Sequence, residues 1–288
     1  MATRIKIVTD STADIPQELL KEYDIAFIPL KVIFGEESFR ENIDIQPEEF
    51  YEKLVTYDGI PHTSQPSPGE FCDLYKELTA DGSAVISIHI SSHMSGTIQS
   101  ARLAASMLEN SDITVIDSKL VAYALGCVVV AAAKAAKAGK SKAEILELIQ
   151  LMIEEVNTYF IVDTLEYLAK NGRIGKATSF LGSMLNIKPV LTIEDGLIAP
   201  FEKVRSKSKA IDLLIKTAKN YAEKHGELSY FIFHANCYAD AINLKEKLMR
   251  ELNSEEVFLM GSIGAVVGTH AGPGTLVLYF YKQGLDEI

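Results

Sequence analysis

Ala84-Val85-Ile86-Ser87-Ile88-His89-Ile90 runs directly into Ser91-Ser92-His93-Met94-Ser95-Gly96-Thr97. The first part is an apolar, largely β-branched run of strand length. The second is a turn of small polar residues that leads into a helical stretch ending near Leu108. The same unit stands on either side. The run over 5–8 leads into Thr9-Asp10-Ser11-Thr12-Ala13-Asp14 and a helix start at Pro16, and the run over 113–116 leads into Asp117-Ser118 and a helix to about Ala138. Buried strand, polar turn, helix, repeated, predicts a parallel sheet with helices on both faces.

Further out, Pro47-Glu48-Glu49 opens a helix. Ser67-Pro68-Gly69-Glu70 has the form of a capping box with proline at the first helical position, and Thr63-Ser64-Gln65-Pro66 reads as the loop before it. Past a helix over 142–155 the pattern changes. Strand candidates over 189–193 and 197–204 flank Glu194-Asp195-Gly196, a hairpin turn signal that implies antiparallel pairing. Amphipathic helices over 208–224 and 238–252 enclose a strand over 229–233. Strands over 256–260 and 276–281 bracket a glycine-dense segment. This predicts an α/β protein of two domains, over 1–157 and 158–288.

The 288 residues carry 28 Lys and Arg against 39 Asp and Glu, a net charge of −11 with no basic run. That excludes a general polyanion binder, so neither nucleic acid nor an anionic membrane surface is expected, and the longest apolar stretch, over 121–133, is too short for stable membrane insertion. Cys72, Cys127 and Cys237 form no Cys-x-x-Cys pair, and the N-terminus lacks a signal-peptide apolar region. A cytoplasmic protein with free thiols is expected. Gly139-Lys140-Ser141 mimics the end of a phosphate-binding loop, but it closes a helix instead of opening one. No nucleophile elbow occurs, and no metal-binding histidine spacing beyond the weak His89/His93 pair, which straddles a strand end, so no metal is expected.

What remains are hydroxyl- and glycine-rich loops. Ser91 to Thr97 offers backbone N–H groups and hydroxyls suited to a carboxylate or phosphate, or simply to capping a helix. Gly268-Thr269-His270-Ala271-Gly272-Pro273-Gly274 reads as a loop with left-handed positions around one histidine. Arg173 follows a turn at Asn171-Gly172, and Arg205 follows a strand; each is either a surface arginine or part of a site.

Together these segments, with Lys188-Pro189 and Val204-Arg205-Ser206-Lys207, resemble the DegV family of bacterial fatty-acid-binding proteins from Thr9 to Gly274. The resemblance implies an N-terminal three-layer α/β/α domain with a parallel sheet and a C-terminal two-layer α/β domain with a mixed sheet. One long-chain fatty acid would lie in a tunnel between them. It also implies that Thr63 and Ser95 hold the carboxylate, with Ser92, Gly96 and Thr97 of the same loop expected among the ligand-binding residues. His270 and Arg205 are associated with the head group or its phosphorylation, and Arg173 is expected on a docking face. The implied role is non-catalytic: the acyl-binding subunit of a fatty acid kinase. The partner kinase subunit supplies ATP and Mg, and the acyl phosphate feeds phospholipid synthesis. A stand-alone lipid carrier or sensor is the alternative, and an acyl hydrolase using Ser95 and His270 a weaker one.

The chemistry is consistent with that role. A chain of about C16–C18 gains roughly 0.8 kcal/mol per buried CH₂, which for about sixteen carbons is about 11–12 kcal/mol gross. That requires a deep apolar tunnel, for which the stretches over 121–133 and 180–187 are candidates. Neutral hydroxyls at the mouth position a carboxylate without quenching it as a nucleophile.

Overall fold

The computed structural model describes residues 4–183, 187–252 and 259–287. In chain order the first elements are β1 (Ile5–Asp10), α1 (Gln17–Glu22), β2 (Ala26–Ile28), β3 (Lys31–Phe34), β4 (Glu37–Arg40), α2 (Pro47–Thr56), β5 (His62–Ser64), α3 (Pro68–Thr79), β6 (Ala84–His89), α4 (Thr97–Ser106), β7 (Ile113–Asp117), α5 (Tyr123–Lys137) and α6 (Lys142–Glu155). Then come β8 (Asn157–Ile161), α7 (Glu166–Lys170), β9 (Lys188–Glu194), β10 (Leu197–Val204), α8 (Lys207–His225), β11 (Leu228–His234), α9 (Tyr238–Leu252), β12 (Leu259–Ser262), α10 (Ala265–Ala271) and β13 (Leu276–Lys282).

The three strand–turn–helix units build a parallel sheet in the order β2-β1-β6-β7. Alternate residues face opposite ways along a strand. Val8 and Val85 pack with Phe71, Tyr75, Ala101 and Ala104 of α3 and α4, while Ile7, Ile86 and Ile88 belong to the core shared with α5 and α6. This is the expected three-layer arrangement. The helix starts follow the sequence chemistry. Ser67 and Glu70 form a reciprocal capping box around Pro68, and Ser141 and Glu144 form another. Gly139, at φ +78°, ends the preceding helical segment, so Gly139-Lys140-Ser141 is a helix-to-helix joint.

The second sheet has the order β10-β9-β8-β13-β11-β12 and is antiparallel except for the β11–β12 pair. Its β9–β10 hairpin turns on Asp195 and Gly196, both left-handed at φ 51° and 79°, as a type I′ turn requires. One face is closed by α8 and α9. The other turns its apolar residues towards the first sheet's core.

Two features differ from expectation. A small antiparallel sheet, β4-β3-β5, occupies the stretch read as polar connection. Thr63 therefore sits on a strand, opposite Val32, and not in a loop. The glycine-dense segment is also mostly helical. Gly268 and His270 belong to α10, and only Gly272 and Gly274 take left-handed conformations, at φ +77° and +80°. Gly268 serves close approach instead: a methyl there would come within 2.5 Å of the Tyr51 hydroxyl and 2.9 Å of Phe50. The strand expected over 256–260 is described only from Leu259, as β12; 256–258 lie outside the described residues.

Candidate functional site

Between the inner face of the six-stranded sheet and the N-terminal elements lies a cavity. Phe160, Val277 and Tyr279 of the sheet form one wall; Ile90, Met94 and Val121 of the N-terminal elements form another, and Val266 and Val267 of α10 a third. The walls are mostly apolar because the sheet's alternation sends these side chains inward while Ile161, Leu276 and Leu278 pack outward on α8 and α9. Of the helix over 121–133, only Val121 and Ala122 reach the cavity; α5 itself is core, with nearly every residue buried. From 180–187, Phe180, Leu181 and Ile187 stay off the cavity wall, and 184–186 lie outside the described residues.

Polar side chains gather along the same cavity wall: Thr63, Gln65, Ser95, Arg173 and His270. Thr63 Oγ1 and His270 Nε2 share a hydrogen bond of 2.9 Å. β5 and α10 therefore meet at the site from chain positions 207 residues apart. Ser95 Oγ shares a hydrogen bond of 2.9 Å with Thr97 Oγ1 and accepts from the Thr97 N–H at 3.3 Å. Gly96 leaves room for the Gln65 amide, which a methyl at that position would meet at 2.3 Å. Gly96 and the buried Thr97 thus shape the loop around Ser95. Ser92 lies off the cavity, its N–H bonded to Asp117 at 3.2 Å.

Arg173 is exposed yet also lines the cavity. Two backbone carbonyls anchor it: Nε donates to Met94 O at 3.1 Å and Nη1 to Asn171 O at 2.7 Å. Arg205 is exposed just past β10 and does not line the cavity. His270 is held down to about 4 by burial first, then by the charges of Arg173 and His62. It is a neutral imidazole at neutral pH, so the fixed positive charge on the cavity wall is Arg173. Its Nδ1 is buried without a partner.

One cluster was invisible in the sequence. Asp10 Oδ2 accepts from Ile90 N–H at 3.1 Å and pairs with His89 Nδ1 at 2.9 Å. His89 Nε2 meets Ser87 Oγ at 2.7 Å, and Tyr75 donates to Ser87 at 2.8 Å. Asp10 also accepts from the Thr12 N–H, so it does both jobs open to it, capping a turn and bracing a neighbour. The order Asp–His–Ser suggests a hydrolase, but Ser87 and His89 are fully buried on β6. At the cavity, the hydrogen bond of His270 Nε2 goes to Thr63 and that of Ser95 Oγ to Thr97. This arrangement does not activate Ser95 as a nucleophile.

A family model described as "uncharacterised protein, DegV family" matches residues 4–283. Protein DegV of Bacillus subtilis is 40% identical over 273 residues, covering 94% of this chain and 97% of its own length. Among solved structures, a DegV family protein from Thermus thermophilus, described by its fatty acid binding, superposes with a TM-score of 0.92 at 33% identity, covering 97% of this chain and all (100%) of that one. The Bacillus subtilis DegV structure, a fatty acid binding protein, gives 0.90 at 38% identity with 98% and 100% coverage. A stearic acid-binding protein from Eubacterium ventriosum gives 0.90 at 26% identity with 99% and 100% coverage.

Proposed function

This chain belongs to the DegV family, and from that premise we propose that it binds one long-chain fatty acid and presents the carboxylate to a separate kinase subunit. The observation that carries this reading is the apolar interdomain cavity with its polar cluster of Thr63, Ser95, Arg173 and His270. The two halves of the clasp are the domains over 1–157 and 158–288. The acyl chain lies along Phe160, Val277 and Tyr279, and the head group meets the Thr63 and Ser95 hydroxyls.

Neutral donors suit the task. A hydroxyl orients a carboxylate while taking little of its charge, so the oxygen stays reactive towards a phosphoryl group. His270, neutral and bonded to Thr63, fixes that hydroxyl, and Arg173 supplies one positive charge beside it. Ser92, Gly96 and Thr97 hold the loop that carries Ser95. Arg173 is also exposed, which fits a docking face for the kinase subunit. Arg205, outside the cavity, acts on the phosphoryl group only in the docked complex. ATP and Mg come with the partner, and the product is an acyl phosphate for phospholipid synthesis.

The test is a reconstituted assay with palmitate, ATP–Mg and a fatty acid kinase ATP-binding subunit, trapping acyl phosphate with hydroxylamine. Product should form only when both proteins are present, and His270→Ala should reduce it more than it reduces palmitate binding. Bound palmitate that is never phosphorylated would leave a carrier and remove the kinase role.

A further inference from the structure

The α10 wall of the cavity is gripped at its start by two acidic side chains of the N-terminal half. Asp14 follows the turn Ser11–Ala13, and Glu41 follows β4; both are buried. Asp14 Oδ1 accepts from the Gly264 N–H at 3.1 Å, and Glu41 Oε1 from the Val266 N–H at 2.7 Å. A methyl on Gly264 would fall within 2.5 Å of Glu41 Oε1 and 2.6 Å of Asp14 Oδ1, so the two carboxyls converge on that residue. Their other oxygens, Asp14 Oδ2 and Glu41 Oε2, are buried without partners.

Two adjacent carboxylates in a dry site cannot both stay ionised. A proton on one makes it a donor and removes the repulsion. Burial and the negative charge of Asp10 on β1 favour this, against the Ser11 hydroxyl and the backbone N–H groups of Gly264, Ala265 and Val266, which favour the ionised forms; Tyr51 on α2 and Tyr279 on β13 are the other titratable groups near the pair, and among the described residues no cation offsets it. Burial pushes Asp14 well up and Glu41 up to about 7.

We propose that Asp14 and Glu41 are positioning residues, a protonated clamp that holds α10, and with it His270 and the adjoining cavity wall, against the N-terminal half. Loss of that proton to solvent loosens that wall and speeds ligand release. The release arm rests on the lipid-binding reading; the clamp itself does not. α10 is well placed to transmit the effect. It runs from the clamp past Gly268, packed on Tyr51, to His270 at the cavity, with Asn171 bonded to the Thr269 carbonyl at 3.1 Å.

The sign follows from linkage. Glu41 binds its proton more tightly when clamped, at about 7 against an ordinary 4.5. Between those values, rising pH favours the opened, hydrated form, and above about 7 the effect levels off.

The experiment measures palmitate dissociation from the full chain by stopped flow between pH 5 and 8. The wild-type rate should rise at least about tenfold between pH 5 and 7 and then flatten. Glu41→Gln keeps an oxygen for the Val266 N–H and should cut the slope by half or more. Asp14→Asn/Glu41→Gln should abolish it, while His62 and His93 remain in every protein compared. A flat wild-type profile, or an unchanged slope in Glu41→Gln, overturns the clamp. A second arm needs no lipid: amide exchange over 264–271, corrected for intrinsic rates, should speed up over the same range in wild type and not in Glu41→Gln. Equal exchange in both also overturns the clamp. If palmitate fails to bind at any pH, the function reading falls and this arm alone decides the clamp.

Discussion

The two faces of the six-stranded sheet are built from neighbouring residues of the same strands, yet they do different work. Ile161, Leu276, Leu278 and Phe280 face α8 and α9, each at 0% exposure. Phe160, Val277 and Tyr279 alternate with them and face the cavity. The outer residues are matched by helix side chains, so they hold the fold. The inner residues are equally apolar but border the cavity; under the proposed function their contact partner is the acyl chain. Burial alone does not separate core from site; what separates them is whether another part of the chain fills the opposite side.

That contrast can be broken by substitution. The largest effect should come from the outer face. Leu278→Ala leaves a hole that α8 and α9 cannot close and should cost about 2–5 kcal/mol in urea unfolding. Palmitate affinity of the folded protein should change less than threefold, about 0.7 kcal/mol. On the inner face the order reverses. Ile198 of β10 also lines the cavity; Ile198→Trp would fill it and should weaken palmitate binding at least about tenfold in calorimetry, while ligand-free stability shifts by only about 1 kcal/mol.

At the polar end of the contrast, acidification should act through His270. Its folded value of about 4 lies below the ordinary 6.5, so the unfolded chain binds the proton first. Stability from this group is complete above about 6.5 and is lost as pH falls towards 4, by up to about 3 kcal/mol. His270→Gln should remove that part of the slope in unfolding curves. Glu41, at the other end of α10, has the opposite sign. Thr63→Val deletes one neutral hydrogen bond and should weaken palmitate binding by about 0.5–1.5 kcal/mol, with kinase-dependent turnover falling further. The smallest effect belongs to Arg205→Ala, which lies off the cavity and should leave palmitate affinity within about twofold.

Much of the fold was legible because its signals are local. β-branched runs followed by small polar turns marked β1, β6 and β7. Ser67 with Glu70 marked a helix start, and Asp195-Gly196 marked the hairpin; the Ser141–Glu144 capping box emerged only in the structure. The β4-β3-β5 sheet was not legible, since strands of three or four residues declare themselves only through their pairing. α10 was misread because glycines suggest a turn, whereas Gly268 is there to let Tyr51 approach. For the site, Thr63, Ser95 and His270 could be named from motifs. The Thr63–His270 contact, the neutrality of His270 and the convergence of Asp14 and Glu41 on Gly264 depend on residues far apart in the chain. The apolar stretch over 121–133 looked like tunnel lining for the same reason that core and cavity walls share one composition.

The most direct test is native mass spectrometry of the full chain purified from a bacterial host, followed by organic extraction and lipid identification. The account predicts a single fatty acid per chain, released on denaturation and replaceable by added palmitate. A chain that arrives empty and refuses palmitate would contradict it, because the cavity would then be a void that no acyl chain fills.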